Sequence, residues 1–414
     1  MRSSACLSVD QHDRTNCHPR DEAPLFVPRL GYEQQRMLPA LERAGVRMTV
    51  SPLYYMAANP ELALFTGGEH QLGLALDPCA HHRQLPFERR SASFRSLPYG
   101  SAPQAFDPDR DAISADEFTR LATLPLELQR NRGATLMLTC AHLAGPAGSR
   151  GRELDLRLAR AAIAHFRAQR MDEPPAFAVN PARREIYAAL AIRARDLHSP
   201  AARQALVDTY LALAADGFWL KIEGFDERAP RLDIRCAAAL FDAFREGGRP
   251  VLGDQAGQLH LGLLADGISA TVGLAEGEHF RFPTDWNTQT VETGQRRGRL
   301  RSAYHPKLLR SFRIGGTNAM RAFSESPCPC RLHPGREAPE GTVVEAHAAV
   351  LRCAQAREAL VGDRADRREW LLAAAAMATH IAHDAGVAAV PPLIFEELFA
   401  GLDRADEVQQ SRAV

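Results

Sequence analysis

No run of apolar residues approaches the ~20 needed to span a bilayer. The longest, residues 370–378, is short and rich in alanine. A membrane partner is therefore not expected. Net charge is missing too, because 50 Lys plus Arg balance 50 Asp plus Glu. Whole-chain electrostatics thus do not announce a polyanion binder. Lysine is scarce, and the basic side is almost entirely arginine. Residues 1–24 are polar and irregular and lack the apolar core of a secretory signal. Eight cysteines in a chain of this length do not read as a disulfide scaffold. The cytoplasm is the expected compartment. No phosphate-binding G-x-x-x-x-G-K-[ST] occurs, since the glycine pair at Gly315 is not followed by lysine. Internal repeats and low-complexity tracts are also missing.

What is present is an alternation of short apolar runs with longer amphipathic ones. The runs at 46–51, 72–77, 134–140, 176–179, 218–222, 250–253 and 268–272 are expected strands. Helical patterns cover 117–131, 153–170, 185–195, 201–215, 233–246 and 258–265. Such alternation predicts a parallel sheet coated by helices. The number of strands favours closure into a (β/α)8 TIM-like barrel, and 414 residues exceed the ~250 such a barrel needs. Long loops are expected at 83–108 and 277–301, and helices at 342–361, 367–385 and 392–402. The expected organisation is an irregular segment 1–24, a barrel over 25–315 and a helical, zinc-stapled C-terminal region over 316–414.

A barrel gathers its chemistry at the C-terminal ends of its strands. Those ends carry Asp77, Cys79, His81 and His82; Cys140 and His142; Asn180; Lys221 and Glu223; Asp254 and Gln255; and Glu276 and His279. A carboxylate there commonly just caps the next helix. Asp77 and Glu223 stand out because each ends a strongly apolar strand, LGLALD and GFWLKIE. Burying a charge is costly unless it is paired or functional. Lys221 and Glu223 are two residues apart and so share a strand face, as a structural ion pair or as catalytic groups. The candidate catalytic residues are Asp77, Asp254, Glu223 and Lys221, with His81, His142 and Gln255 as candidate substrate contacts.

Past the barrel the sequence reads Cys328-Pro-Cys330-Arg-Leu-His333, with His347 further on. Two thiolates on a tight turn, a histidine three residues later and a ligand from the next helix can complete a tetrahedral zinc site. Cys328, Cys330, His333 and His347 are the expected ligands, with Cys353 as an alternative fourth. Four protein ligands leave no open position, so this zinc would be structural. The alternative is an incidental pair of buried thiols. The basic stretch Arg296, Arg297, Arg299, Arg301, Lys307, Arg310 and Arg313 reads as a solvated loop or as a polyanion contact.

The cluster behind a barrel resembles the tRNA-guanine transglycosylase superfamily, whose zinc motif C-x-C-x-x-C is followed by a histidine on a helix. His333 stands where the third cysteine would be. The segment RPVLGDQAGQLHLGLLADGISATVG is similar to that family's strand–helix–strand segment leading to its nucleophile, and LALDPCAHH to its aspartate-led segment. These segments span about half of the chain. The resemblance implies a zinc-bearing barrel that exchanges a nucleobase in tRNA or DNA, with Asp77 as acid/base; Asp254, at the end of the preceding strand, is the candidate replacement for the family's nucleophile. The family's usual nucleophile position falls at Val272, which cannot attack an anomeric carbon. Two alternatives follow. One is a non-catalytic binding protein derived from such an enzyme. The other is a barrel enzyme of unrelated chemistry, using Lys221 with a depressed pKa together with Glu223, His142 and Asp254. Oligomeric state is not legible.

Overall fold

Side chains alternate between the two faces of a parallel strand, and both faces here are apolar. One face lines the inside of a barrel, and the other meets a coat of helices. The computed structural model describes residues 24–31, 37–58, 72–171, 184–274, 279–280, 302–341 and 343–403. In it β1 (Phe26–Arg29), β2 (Met48–Pro52), β3 (Gly73–Asp77), β4 (Leu136–Leu138), β5 (Glu185–Arg193), β6 (Gly217–Glu223), β7 (Val251–Asp254) and β8 (Ser269–Gly273) close in sequence order. β1 pairs in parallel with both β2 and β8, which seals the cylinder.

The intervening helices are α1 (Leu38–Arg43), α2 (Leu53–Ala58), α3 (Ala92–Arg95), α4 (Ala115–Asn131), α5 (Arg150–Met171), α6 (Pro200–Leu211), α7 (Arg231–Glu246) and α8 (Leu259–Ala265). Beyond the barrel lie an antiparallel pair, β9 (Ser302–His305) and β10 (Arg310–Arg313), and then four helices. These are α9 (Thr317–Glu325), α10 (Val343–Glu358), α11 (Arg364–Ala385) and α12 (Pro392–Leu402). α10 packs against α1, α8 and β1, so it fills the place of the barrel's eighth helix. α12 lies on α7, and α11 bridges α8 and α12. An ionic staple backs this packing. Buried Asp266 takes Arg245 of α7 at 2.7 Å and Arg364 of α11 at 2.8 Å, and also pairs with Arg368.

Inside the barrel, large side chains face small ones. Trp219 stands opposite Ala189, and Lys221 opposite Ala191, across the β5–β6 register. Gly217 stands opposite Tyr187, and a Cβ there would sit 2.5 Å from the Tyr187 ring. The absent side chain therefore makes room for the ring.

This complementarity explains a correction. Of residues 185–195, expected as a helix, all but the last two form β5 (Glu185–Arg193). Their alanines suit a helix locally, but they are the small partners that Trp219 and Lys221 require. β1 was not expected at all, because it is four residues long and contains Pro28, which weakens any strand reading. The expected strand 176–179 lies outside the described residues. The expected loop 83–108 is instead organised around buried Arg90, whose guanidinium donates to the carbonyls of Arg83, Leu85, Gly100, Ala102 and Gln104.

Candidate active site and metal centre

Four charges meet inside the C-terminal end of the barrel. Asp77 ends β3, Lys221 lies near the end of β6, Asp254 ends β7 and Arg29 ends β1. All four point inward and are nearly fully buried. Arg29 NH2 donates to Asp77 Oδ2 at 2.6 Å, and NH1 lies 3.2 and 3.1 Å from the two oxygens of Asp254. Lys221 Nζ pairs with Asp77 and lies 3.1 Å from Asp254 Oδ2. Two cations and two carboxylates thus cancel. Such a buried quartet is tolerable only because each charge has its partners.

The electrostatics follow from that closure. Burial works to raise the pKa of Asp77, but Lys221 and Arg29 outweigh it and hold the carboxyl well below the usual range. Burial likewise opposes ionisation of Asp254, and Arg29 and Lys221 again prevail. Burial disfavours the Lys221 ammonium, yet Asp77 and Asp254 raise its pKa above the ordinary value. All four groups are charged at neutral pH. This overturns the expectation of a lysine with a depressed pKa.

The surroundings are tightly determined. Thr271 of β8 donates its hydroxyl hydrogen to Asp254 and accepts the Gln255 N–H at 2.9 Å. Asp77 Oδ1 accepts the Cys79 N–H at 2.9 Å. Cys79 and Gln255 both adopt left-handed backbones, φ +51° and +56°. Each such conformation costs about 1–3 kcal/mol without glycine, and such strain clusters at functional sites. The Phe280 ring centroid lies 5.6 Å from Lys221 Nζ and 5.1 Å, edge-on, from that of His81. Burial keeps His81 and His82 neutral, the latter with a pKa lowered to about 4. Burial, with Asp77 next in weight, also keeps the Cys79 thiol protonated.

Asp77, Lys221, Asp254, His81 and Gln255 therefore gather at one mouth. Glu223 does not pair with Lys221; it faces Arg193 of β5 at 3.4 Å. His142 is fully buried, with Nδ1 2.7 Å from Asp155 Oδ1, and makes no contact with the quartet. Asn180 and Glu276 lie outside the described residues. Arg29, Thr271 and Phe280 were missed. Arg29 had a usable signal, since it ends an apolar run as Asp77 does. Val272 packs outward among the helix-facing residues, so the inward group at that level of β8 is Thr271.

The Cys/His cluster forms as expected. Candidate ligand atoms of Cys328, Cys330, His333 and His347 all lie within 4.8 Å of one another. His347 Nδ1 is 3.3 Å from Cys330 Sγ, 3.1 Å from His333 Nε2 and 4.0 Å from Cys328 Sγ. Each imidazole turns its other nitrogen to a backbone carbonyl: His347 Nε2 to Tyr304, and His333 Nδ1 to Pro334 at 2.8 Å. Outer hydrogen bonds of this kind fix the tautomer that a metal ligand needs. The Cys330 N–H points at Cys328 Sγ at 3.4 Å. Burial raises the Cys328 thiol to about 12 and lowers His347 to about 4. A cation would convert the first to thiolate and suits the second as it stands. Cys353 is buried outside this group, so the fourth position falls to His347.

Fold and site thus define a (β/α)8 barrel protein with an ionic mouth and a separate Cys2His2 cluster able to hold a metal. No family model and no curated protein matches the chain. Among solved structures, a nitroalkane oxidase from Streptomyces ansochromogenes is similar at 15% identity and a TM-score of 0.27, covering 93% of this chain and 98% of that one. Among the described residues, no helix is long and apolar enough to cross a membrane.

Proposed function

We propose that the chain is a transglycosylase-like enzyme exchanging a nucleobase in tRNA or DNA at the barrel mouth. One observation carries this reading. Two carboxylates from different strands converge, ionised, on one ammonium group. Cleaving an N-glycosidic bond builds positive charge at the anomeric carbon, and a desolvated carboxylate is suited to meet it. In this reading an Asp254 oxygen forms a bond to that carbon as the bond to the base nitrogen breaks. Lys221 gives the departing base a proton, and the incoming base returns one as it displaces Asp254. Asp77, held ionised, keeps Lys221 protonated rather than acting as the acid itself. Thr271 orients the nucleophile.

The Cys2His2 cluster takes zinc in this reading. Four protein ligands close its coordination shell, so the ion anchors α10 and takes no part in the reaction.

The test is incorporation of radiolabelled guanine into tRNA and into duplex DNA, with a parallel search for a denaturation-resistant protein–nucleic acid adduct. Incorporation lost in Asp254→Asn and adduct retained only in wild type would support the proposal. The burial of the quartet favours a second reading, in which it is a structural plug in a non-catalytic binding protein. Tight binding of tRNA or DNA without exchange or adduct would favour that one.

A further inference from the structure

A second group of ligating side chains lies on the same rim, apart from the Cys2His2 cluster. Asp226 and Glu227 come from the loop between β6 and α7, and His279 from the segment after β8. Candidate ligand atoms of all three lie within 4.8 Å of one another. The Asp226 and Glu227 side chains are only 7% and 5% exposed, so two carboxylates share a nearly dry space.

The neighbouring backbone holds them in place. Asp226 Oδ1 accepts the Arg228 N–H at 2.8 Å, and Glu227 Oε2 accepts the Gln258 N–H at 3.1 Å. His279 is fixed by a bridge to Ala256, and the next residue donates its N–H to the Gln255 carbonyl. Gly257, at φ +56°, opens the gap: a Cβ there would lie 2.5 Å from both Glu227 Oε2 and His279 Nδ1. Any other residue would fill the space in which the three groups converge.

The separations do not suit hydrogen bonding. His279 Nδ1 is 3.7 Å from Asp226 Oδ2, and Nε2 is 3.6 Å from Glu227 Oε1. Protein hydrogen bonds run ~2.7–3.2 Å. A tetrahedral ion with ~2.1 Å bonds separates its ligands by about 3.4 Å. His279 Nδ1 is buried and has no hydrogen-bond partner. Arg228 is exposed, with Nε 3.9 Å from Glu227 Oε1, and Arg310 also lies within electrostatic reach of Glu227.

We infer that Asp226, Glu227 and His279 bind a divalent cation of the hard-to-borderline class, for which Mn2+ is a probe. Two oxygens and one nitrogen favour such ions over the thiophilic metals that suit Cys328 and Cys330. Three protein ligands leave coordination positions open. His279 directly precedes Phe280, whose ring lies over Lys221, so the ion borders the ionic mouth.

The experiment is titration of the zinc-loaded full chain with Mn2+, followed by the loss of the free-ion electron paramagnetic resonance signal. One Mn2+ per chain is expected, bound about 10-fold or more weakly in His279→Gln and Glu227→Gln. Their melting curves and circular dichroism should match wild type. In wild type itself, spin-echo modulation from a single directly bound imidazole nitrogen is expected. No binding at millimolar Mn2+, no nitrogen modulation, or wild-type affinity in both His279→Gln and Glu227→Gln would each overturn the inference. None of these readouts depends on base exchange, so the site stands or falls apart from the proposed activity.

Discussion

Arg29 reaches Asp254 across the seam where β1 closes on β8, placing one guanidinium nitrogen 3.2 and 3.1 Å from its two oxygens. The barrel is therefore sealed at its mouth by charge as well as by backbone pairing. Arg29→Met should leave Asp254 and Asp77 sharing Lys221 alone. Removing one member of a buried ionic group typically costs about 3–5 kcal/mol. A urea titration should show that loss, and Arg29→Lys should recover only part of it, since an ammonium lacks the planar guanidinium's fixed fork of donors. Unchanged stability in Arg29→Met would mean the quartet does not hold the mouth together.

Acid should act in two stages. His82 and His260 are buried and lowered to about 4 and about 3, so they favour the folded state while neutral. That contribution is present above the unfolded histidine pKa of ~6.5 and fades as pH falls below it. Asp77 and Asp254 are depressed in the fold, so their contribution is present above the unfolded value of ~3.9. It is lost as pH falls from there through the folded values. Denaturant midpoints between pH 7 and pH 3 should decline from about 6.5 and steepen below about 4. Asp254→Asn should be less stable at neutral pH and flatter in the acid stage.

At the basic end the sign reverses. The Lys221 pKa is raised, so its contribution is present below the unfolded value of ~10.4 and is lost as pH rises through the folded one. Lys221→Met should weaken the chain at pH 8 and remove part of the alkaline decline. A variant tracking wild type at both ends would contradict the charged pairing.

Removing the metal should loosen the helix that completes the ring. His347 lies on α10, which packs against α1 and α8. If the bound ion is present at about 1,000 times its dissociation constant, stripping it removes roughly 4 kcal/mol. A strong chelator, or Cys328→Ser/Cys330→Ser, should lower the thermal midpoint and expose α10 amides to hydrogen exchange before those of β6. Equal protection with and without metal would deny the cluster a stabilising role.

Asp266→Ala should detach the far end. Three arginines, Arg245, Arg364 and Arg368, would lose a shared buried acceptor, at a cost of about 3–5 kcal/mol. Faster proteolysis within α11 relative to the barrel is expected. Intact barrel and helices under a protease that cleaves the unfolded chain would argue against this staple.

The barrel was legible because its strands announce themselves as apolar runs between amphipathic stretches, and six expected strands coincide with observed ones. What hid β5 was locality. Ala189 and Ala191 favour a helix on their own terms and become strand residues only because Trp219 and Lys221 fill the space opposite. What hid Arg29 was the brevity of β1 and its proline. The Cys/His cluster was legible because two of its thiols and a histidine fall within six residues, a spacing that suits metal ligation. The partners of Lys221 were not, because Asp77 and Asp254 are brought to it by closure of the barrel rather than by neighbourhood in sequence. Glu223, its neighbour in sequence, turned instead to Arg193.

Trp219 is fully buried one inward step below Lys221, with Ala189 at its side. The barrel thus carries its own optical probe. An indole in so dry a place emits at short wavelength and is insulated from quenchers in the solvent. A ligand drawing Asp77 or Lys221 out of the quartet would change the electric field across that ring. Occupancy of the mouth could then be read as a shift in intrinsic fluorescence, before the substrate's identity is known and without attaching a label.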